Sequence, residues 1–134
     1  MPYYRFVSDQ ELLSIRSTRA ILPSGHYRPY QPKEVVCLFE AEDLPALFDA
    51  YGRALGDMRE LQVGDRLTIL EVDTSSIGVQ VDQSQNGWPE SRVVFGEIAL
   101  KLLSVVGEAR VTAIRAGNVV FGPLQSLPGT PLSV

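Results

Sequence analysis

Residues 3–15 constrain this chain more than any other stretch. Tyr3-Tyr4-Arg5-Phe6-Val7 has the aromatic and β-branched content of a strand. It runs straight into Ser8-Asp9-Gln10-Glu11, the pattern of a helix capping box. The Ser8 hydroxyl is placed to accept from the Glu11 amide, while the Glu11 carboxylate reaches back to the Ser8 amide. Val7 and Leu12 occupy the two positions of a hydrophobic staple, which sets the angle between strand and helix. Leu12, Leu13 and Ile15 supply an apolar face over about three turns, and Pro23-Ser24-Gly25 then breaks the chain.

A second apolar strand, Val35–Phe39, precedes a second helix that Asp43 can cap, with Pro45 tolerated in its first turn. Leu44, Leu47, Phe48, Tyr51 and Leu55 recur at intervals of three and four, and Gly56 is the expected stop. Beyond this helix the chain turns β-rich. Leu67–Val72, Gly78–Asp82 and Arg92–Phe95 read as strands, with turn signals at Asn86-Gly87 and Pro89. Ile98–Val106 is an apolar run that fits either helix or strand. Ala109–Ile114 and Val119–Phe121 flank Ala116-Gly117-Asn118 as a hairpin. Pro123, Pro128 and Pro131 mark the end of the chain as an extended or mobile tail. The expected organisation is one α+β domain over residues 1–122, strand–helix units first and a β-rich half second, followed by a tail at 123–134.

A chain of 134 residues can bury a hydrophobic core without a metal or disulfide staple. Its 12 Lys plus Arg against 16 Asp plus Glu give a net charge of −4, which argues against nucleic-acid binding by bulk phosphate neutralisation. One basic cleft for a small anion remains compatible with that balance. Cys37, the single cysteine, sits in an apolar run and is expected to pack as a small hydrophobe. No apolar run approaches the roughly 20 residues that span a bilayer. Tyr3-Tyr4-Arg5 reads as structure rather than as a leader, so a cytoplasmic chain without membrane contact is expected. Phosphate-loop, dinucleotide-turn and nucleophile-elbow motifs are absent, and one histidine with one cysteine cannot assemble a common zinc site within one chain.

The order of elements resembles that of the small ADP-ribosyltransferase-like proteins, a group that includes bacterial toxins and RNA phosphotransferases. The likeness covers residues 3–106. It rests on the Tyr4-Arg5 strand, the helix and turn behind it, the proline-flanked loop, the apolar strand, the amphipathic helix and the β-rich half carrying Leu70-Glu71-Val72-Asp73. The resemblance implies a split sheet around a site for NAD. It implies an NAD- or ADP-ribose-binding protein, an ADP-ribosyltransferase or NAD glycohydrolase of bacterial toxin type.

Arg5 takes the place of the family's first-strand arginine, which holds phosphate or ribose; a guanidinium fork suits that task. Its structural alternative is a solvated edge or a surface ion pair. His26 and Tyr27 fall in the loop on the nicotinamide side, where stacking and hydrogen bonding would suit them. Arg92 is taken as a further cofactor contact. Glu97, after Gly96, takes the place of the acid that stabilises oxocarbenium-like charge. The simpler reading of Glu97 is a cap for the segment Ile98–Val106. Val36-Cys37-Leu38 replaces the Ser-Thr-Ser strand of the arginine branch, and both that branch's acidic signature and the first-strand histidine of the other are missing. With these departures the resemblance implies a catalytic set that is atypical or lost. The alternative function is a non-catalytic module that binds a protein or peptide through an exposed strand edge or the Tyr-rich loop at 26–30.

Overall fold

The opening strand, β1 (Tyr3–Ser8), lies in the middle of the sheet. The computed structural model describes residues 1–23, 35–82 and 88–133. After β1 come α1 (Asp9–Thr18), β2 (Ala20–Ile21), β3 (Val35–Glu40) and α2 (Leu44–Met58). The β-rich half holds β4 (Arg66–Val72), β5 (Gln80–Val81), β6 (Ser91–Phe95), β7 (Ile98–Ala99), a 3₁₀ turn at Leu100–Leu102, β8 (Leu103–Arg115), β9 (Asn118–Phe121) and β10 (Gln125–Pro131). Among the described residues these elements make one mixed α+β domain. The strands run β10-β8-β4-β1-β3-β6-β5, β9 pairs with β8, and β2 and β7 form a separate pair.

Successive side chains of a strand point to opposite faces, and β1 uses both. Val7 packs with Leu12 and Ile15 of α1 and with Leu38, Leu70 and Val94 of the sheet. Tyr4 and Phe6 pack on the other side with Phe39 and with Leu47, Phe48 and Leu55 of α2. The sheet is thus covered by one helix on each face, and full burial of each such side chain is worth roughly 1.5–3 kcal/mol.

The helix starts follow the sequence. Ser8 Oγ accepts from the Glu11 amide at 3.2 Å, and Asp43 Oδ1 accepts from the Ala46 amide at 3.1 Å. The stop of α2 does not. Gly56 lies inside the helix, buried where a Cβ would come within 2.9 Å of the Phe121 ring and 3.0 Å of Val119. Its role is close approach of helix to strand, reinforced by the Val119 amide donating to Asp57 Oδ1 at 2.7 Å. The helix closes instead through a Schellman motif. The Leu61 amide donates to the Gly56 carbonyl and the Glu60 amide to the Asp57 carbonyl, both at 3.1 Å, with Glu60 left-handed at φ 54°.

Two expectations in the second half change. Ile98–Val106 divides among β7, the 3₁₀ turn and the start of β8, so no α-helix follows Glu97 for it to cap. The residues read as a tail are extended, but they join the sheet. β10 pairs with β8 from Gln125↔Glu108 to Pro131↔Ser104, and Leu132 is only 4% exposed. The prolines permit this because β10 is an edge strand whose register shifts between Ser126 and Thr130, around Pro128. The hairpin turn holds as read: Ala116 and Gly117 both have positive φ, 51° and 79°, as a two-residue connection requires. No helix among the described residues is long and apolar enough to cross a membrane.

Removing residues 123–134 is expected to lower the thermal midpoint by about 5 °C or more, since burial of Leu132 alone is worth roughly 1.5–3 kcal/mol. A melting curve unchanged by the deletion would return these residues to the status of a tail.

Candidate ligand-binding cleft

β1 and β3 are neighbours that barely pair. Their register holds at Tyr3↔Glu40 and Tyr4↔Phe39. On its other flank β1 pairs β4 along its whole length, from Tyr3↔Val72 to Ser8↔Leu67. β3 is likewise tied to β6 from Val35↔Phe95 to Phe39↔Ser91. Each strand is held on its outer side, and a cleft of about 340 Å³ lies where they part, bordered by Arg5 and Phe6 of β1 and by Val35–Phe39 of β3. Because it is a gap between strands, adjacent residues with opposite facing border it together: Arg5 with Phe6, and Val36 with Cys37. Cys37, expected in the core, is half-buried at this border instead.

Arg5 spans the opening. Its Nη1 donates to the Cys37 carbonyl at 2.8 Å, and its Nε donates to Glu11 Oε2 at 2.6 Å. Arg59, the residue that ends α2, approaches the same carboxylate, with Nε 3.8 Å from Glu11 Oε1. Glu11 therefore does not complete the capping box; two guanidiniums outcompete one backbone amide for its carboxylate. The three side chains are 18% (Arg5), 24% (Glu11) and 22% (Arg59) exposed, so they are partly desolvated and only partly screened. Burial pulls the Arg59 pKa below its ordinary value, Glu11 opposes that pull and Arg5 adds to it. The cluster carries one positive charge more than it neutralises.

The inner wall is aromatic and apolar. Phe39 stacks on Trp88 with ring centres 5.5 Å apart, and Trp88 stacks on Tyr51 at 4.7 Å. Phe6 stacks on Phe39 at 5.7 Å, and Leu55 of α2 closes the side. The Tyr51 hydroxyl donates to the Glu90 carboxylate, which anchors the turn that carries Trp88. Burial, then that hydrogen bond, then the carboxylate charge push the Tyr51 pKa up to about 12. Ser91 also borders the cleft, and its hydroxyl donates to the buried Asp82 Oδ2 at 2.9 Å. At the rim, Leu22 and Met58 are exposed.

Of the residues singled out in the sequence, Arg5 borders this cleft. Arg92 does not: its Nη1 donates to the Pro89 and Ser91 carbonyls at 2.9 and 2.8 Å, and its Nη2 reaches Glu40 Oε1 at 3.4 Å. It clamps the turn before β6. Glu97 is exposed in the bend between Gly96 and β7, away from the cleft lining. His26 and Tyr27 lie outside the described residues. Arg59 and Trp88 were not singled out. Arg59 stands on no apolar stripe and in no motif, and the only signal for it was a cation just past a helix end, which also serves the helix dipole. Comparison with protein-family models, with curated proteins and with solved structures gives no match to the chain.

A phenol whose pKa rises on folding stabilises the fold up to its ordinary value of 10.0 and loses that contribution as the pH climbs to about 12. Urea unfolding is expected to show stability falling across that window, and Tyr51→Phe is expected to fall less steeply. Equal slopes for both proteins would show that folding does not raise the Tyr51 pKa.

Proposed function

We propose that this domain binds a small anionic ligand bearing a flat aromatic group, of the NAD or ADP-ribose class, in the cleft between β1 and β3. One observation carries the reading: two guanidiniums, Arg5 and Arg59, share a single carboxylate at the mouth of an aromatic-walled opening. Guanidinium forks match phosphate oxygens bidentately. Apolar surroundings strengthen such charge-assisted bonds relative to water. A volume of about 340 Å³ sits at the small end of ligand pockets, enough to enclose one nucleotide-sized half of a dinucleotide. The place of Arg5 also agrees with the role that the ADP-ribosyltransferase-like resemblance gives a first-strand arginine, and the gap between β1 and β3 agrees with the split sheet it implies.

The reading concerns binding. Transfer of ADP-ribose, or hydrolysis at nicotinamide, requires a carboxylate beside the ribose. Glu97 stands exposed in its bend, and Glu11 is held by both arginines. A second reading, a module that grips an extended peptide, draws on the edge of β3 that β1 leaves uncovered at Val35–Leu38.

Trp88, the single tryptophan, borders the cleft, so its emission reports occupancy. Titration with NAD, ADP-ribose and nicotinamide, checked by calorimetry at millimolar ligand, is expected to give saturable binding of the phosphate-bearing pair. Arg5→Ala and Arg59→Ala are each expected to weaken that binding about tenfold or more, the worth of one charge-assisted hydrogen bond. Absence of binding by all three ligands would remove the reading, and a tight co-purifying peptide or protein in its place would favour the module.

A further inference from the structure

We propose that Glu11 is an internal stand-in for the ligand's anionic group, and that displacing it from Arg5 and Arg59 makes Glu11 the residue that sets which ligand charges the cleft accepts. This rests on the cleft being the ligand site. The geometry around the carboxylate is lopsided: Oε2 is 2.6 Å from Arg5 Nε, whereas Oε1 is 3.8 Å from Arg59 Nε. At 3.8 Å the Arg59–Glu11 contact is an ion pair longer than a hydrogen bond, and Arg59 itself borders the cleft, with the five N–H groups of a guanidinium to offer a ligand. The backbone of Glu11 does not need the carboxylate to stay put, because its amide is anchored separately on Ser8 Oγ. A released carboxylate at the first turn of α1 remains favourably placed by the helix dipole. Arg5 would also keep its second anchor, the Cys37 carbonyl, so the opening is spanned with or without Glu11.

The charge balance then selects the ligand. With Glu11 in place the cluster offers one net positive charge, matched to a singly charged group. With Glu11 displaced it offers two, matched to a pyrophosphate or a phosphate dianion. An uncharged ligand such as nicotinamide has nothing to exchange for the carboxylate and enters only against the aromatic wall. The occupied arginines thus act as a tax on every anionic ligand, since the binding-competent arrangement is only fractionally populated while Glu11 holds them.

The test compares wild type with Glu11→Gln in titrations with ADP-ribose, inorganic pyrophosphate and nicotinamide, followed by Trp88 emission and calorimetry. Glu11→Gln keeps the shape of the side chain and removes the competing charge. ADP-ribose and pyrophosphate are expected to bind about tenfold or more tightly to the variant, while nicotinamide is unchanged. Should Glu11→Gln fold poorly, Glu11→Asp keeps the charge but shortens its reach, and a smaller gain in the same direction is expected. Wild-type binding of ADP-ribose with no gain, or a loss, in the variants would overturn the stand-in role and assign Glu11 to positioning the arginines. Failure of all ligands to bind to any of the proteins would overturn the cleft reading along with it.

Discussion

The Arg5 guanidinium joins two strands that part company after Tyr4 and Phe39. Where a paired sheet would continue its ladder, one side chain reaches across to donate from Nη1 to the Cys37 carbonyl and from Nε to Glu11. A backbone carbonyl left without a partner in a partly buried gap costs free energy comparable to a lost hydrogen bond. The arginine removes that cost at one position while leaving the rest of the gap open. Because β4 and β6 hold the outer flanks of β1 and β3, the opening does not weaken the sheet as a whole. The space is a consequence of pairing lost on one side and kept on the other.

The second half of the site comes from the way α2 is docked. Gly56 lets the helix settle against Val119 and Phe121, and the Val119 amide bonds Asp57 in the last turn. The Schellman closure that follows uses the Gly56 and Asp57 carbonyls. Arg59, the next position after the helix, is thereby brought within 3.8 Å of Glu11 in the first turn of α1. Two glutamate–arginine contacts that look like ordinary surface ion pairs by distance are made at the edge of a gap, where solvent screens them less than on an open surface.

Periodicity was legible wherever an element buries one stripe or alternates across one sheet. Leu47, Phe48 and Leu55 of α2 and Tyr4 against Val7 of β1 fall on the sides their spacing assigns. The same logic misled at the cleft. Alternation places Arg5 and Phe6 on opposite faces, yet both border the cleft. A break in pairing exposes both faces at once, and no spacing of residues in β1 encodes whether β3 stays beside it. Gly56 is a second instance: a glycine near a helix end reads as a stop, whereas here the absent Cβ is needed by Phe121, more than sixty residues later. β10 is a third. Three prolines read as a tail, yet an edge strand with a shifted register accommodates two of them, Pro128 and Pro131.

Local chemistry determined the strand at Tyr3–Val7, the caps at Ser8 and Asp43, and the mixed α+β class, because each depends on hydrogen bonds and side-chain spacing within about a dozen residues of chain. Tertiary structure decided where Glu11 points, where Arg59 arrives and where the sheet opens. Those outcomes depend on competition between partners distant in sequence. A carboxylate near two guanidiniums leaves the helix amide it would otherwise cap. A strand fully paired on one flank can afford a gap on the other, and Arg5 stands at that gap because the two flanks were settled by β4 and β6.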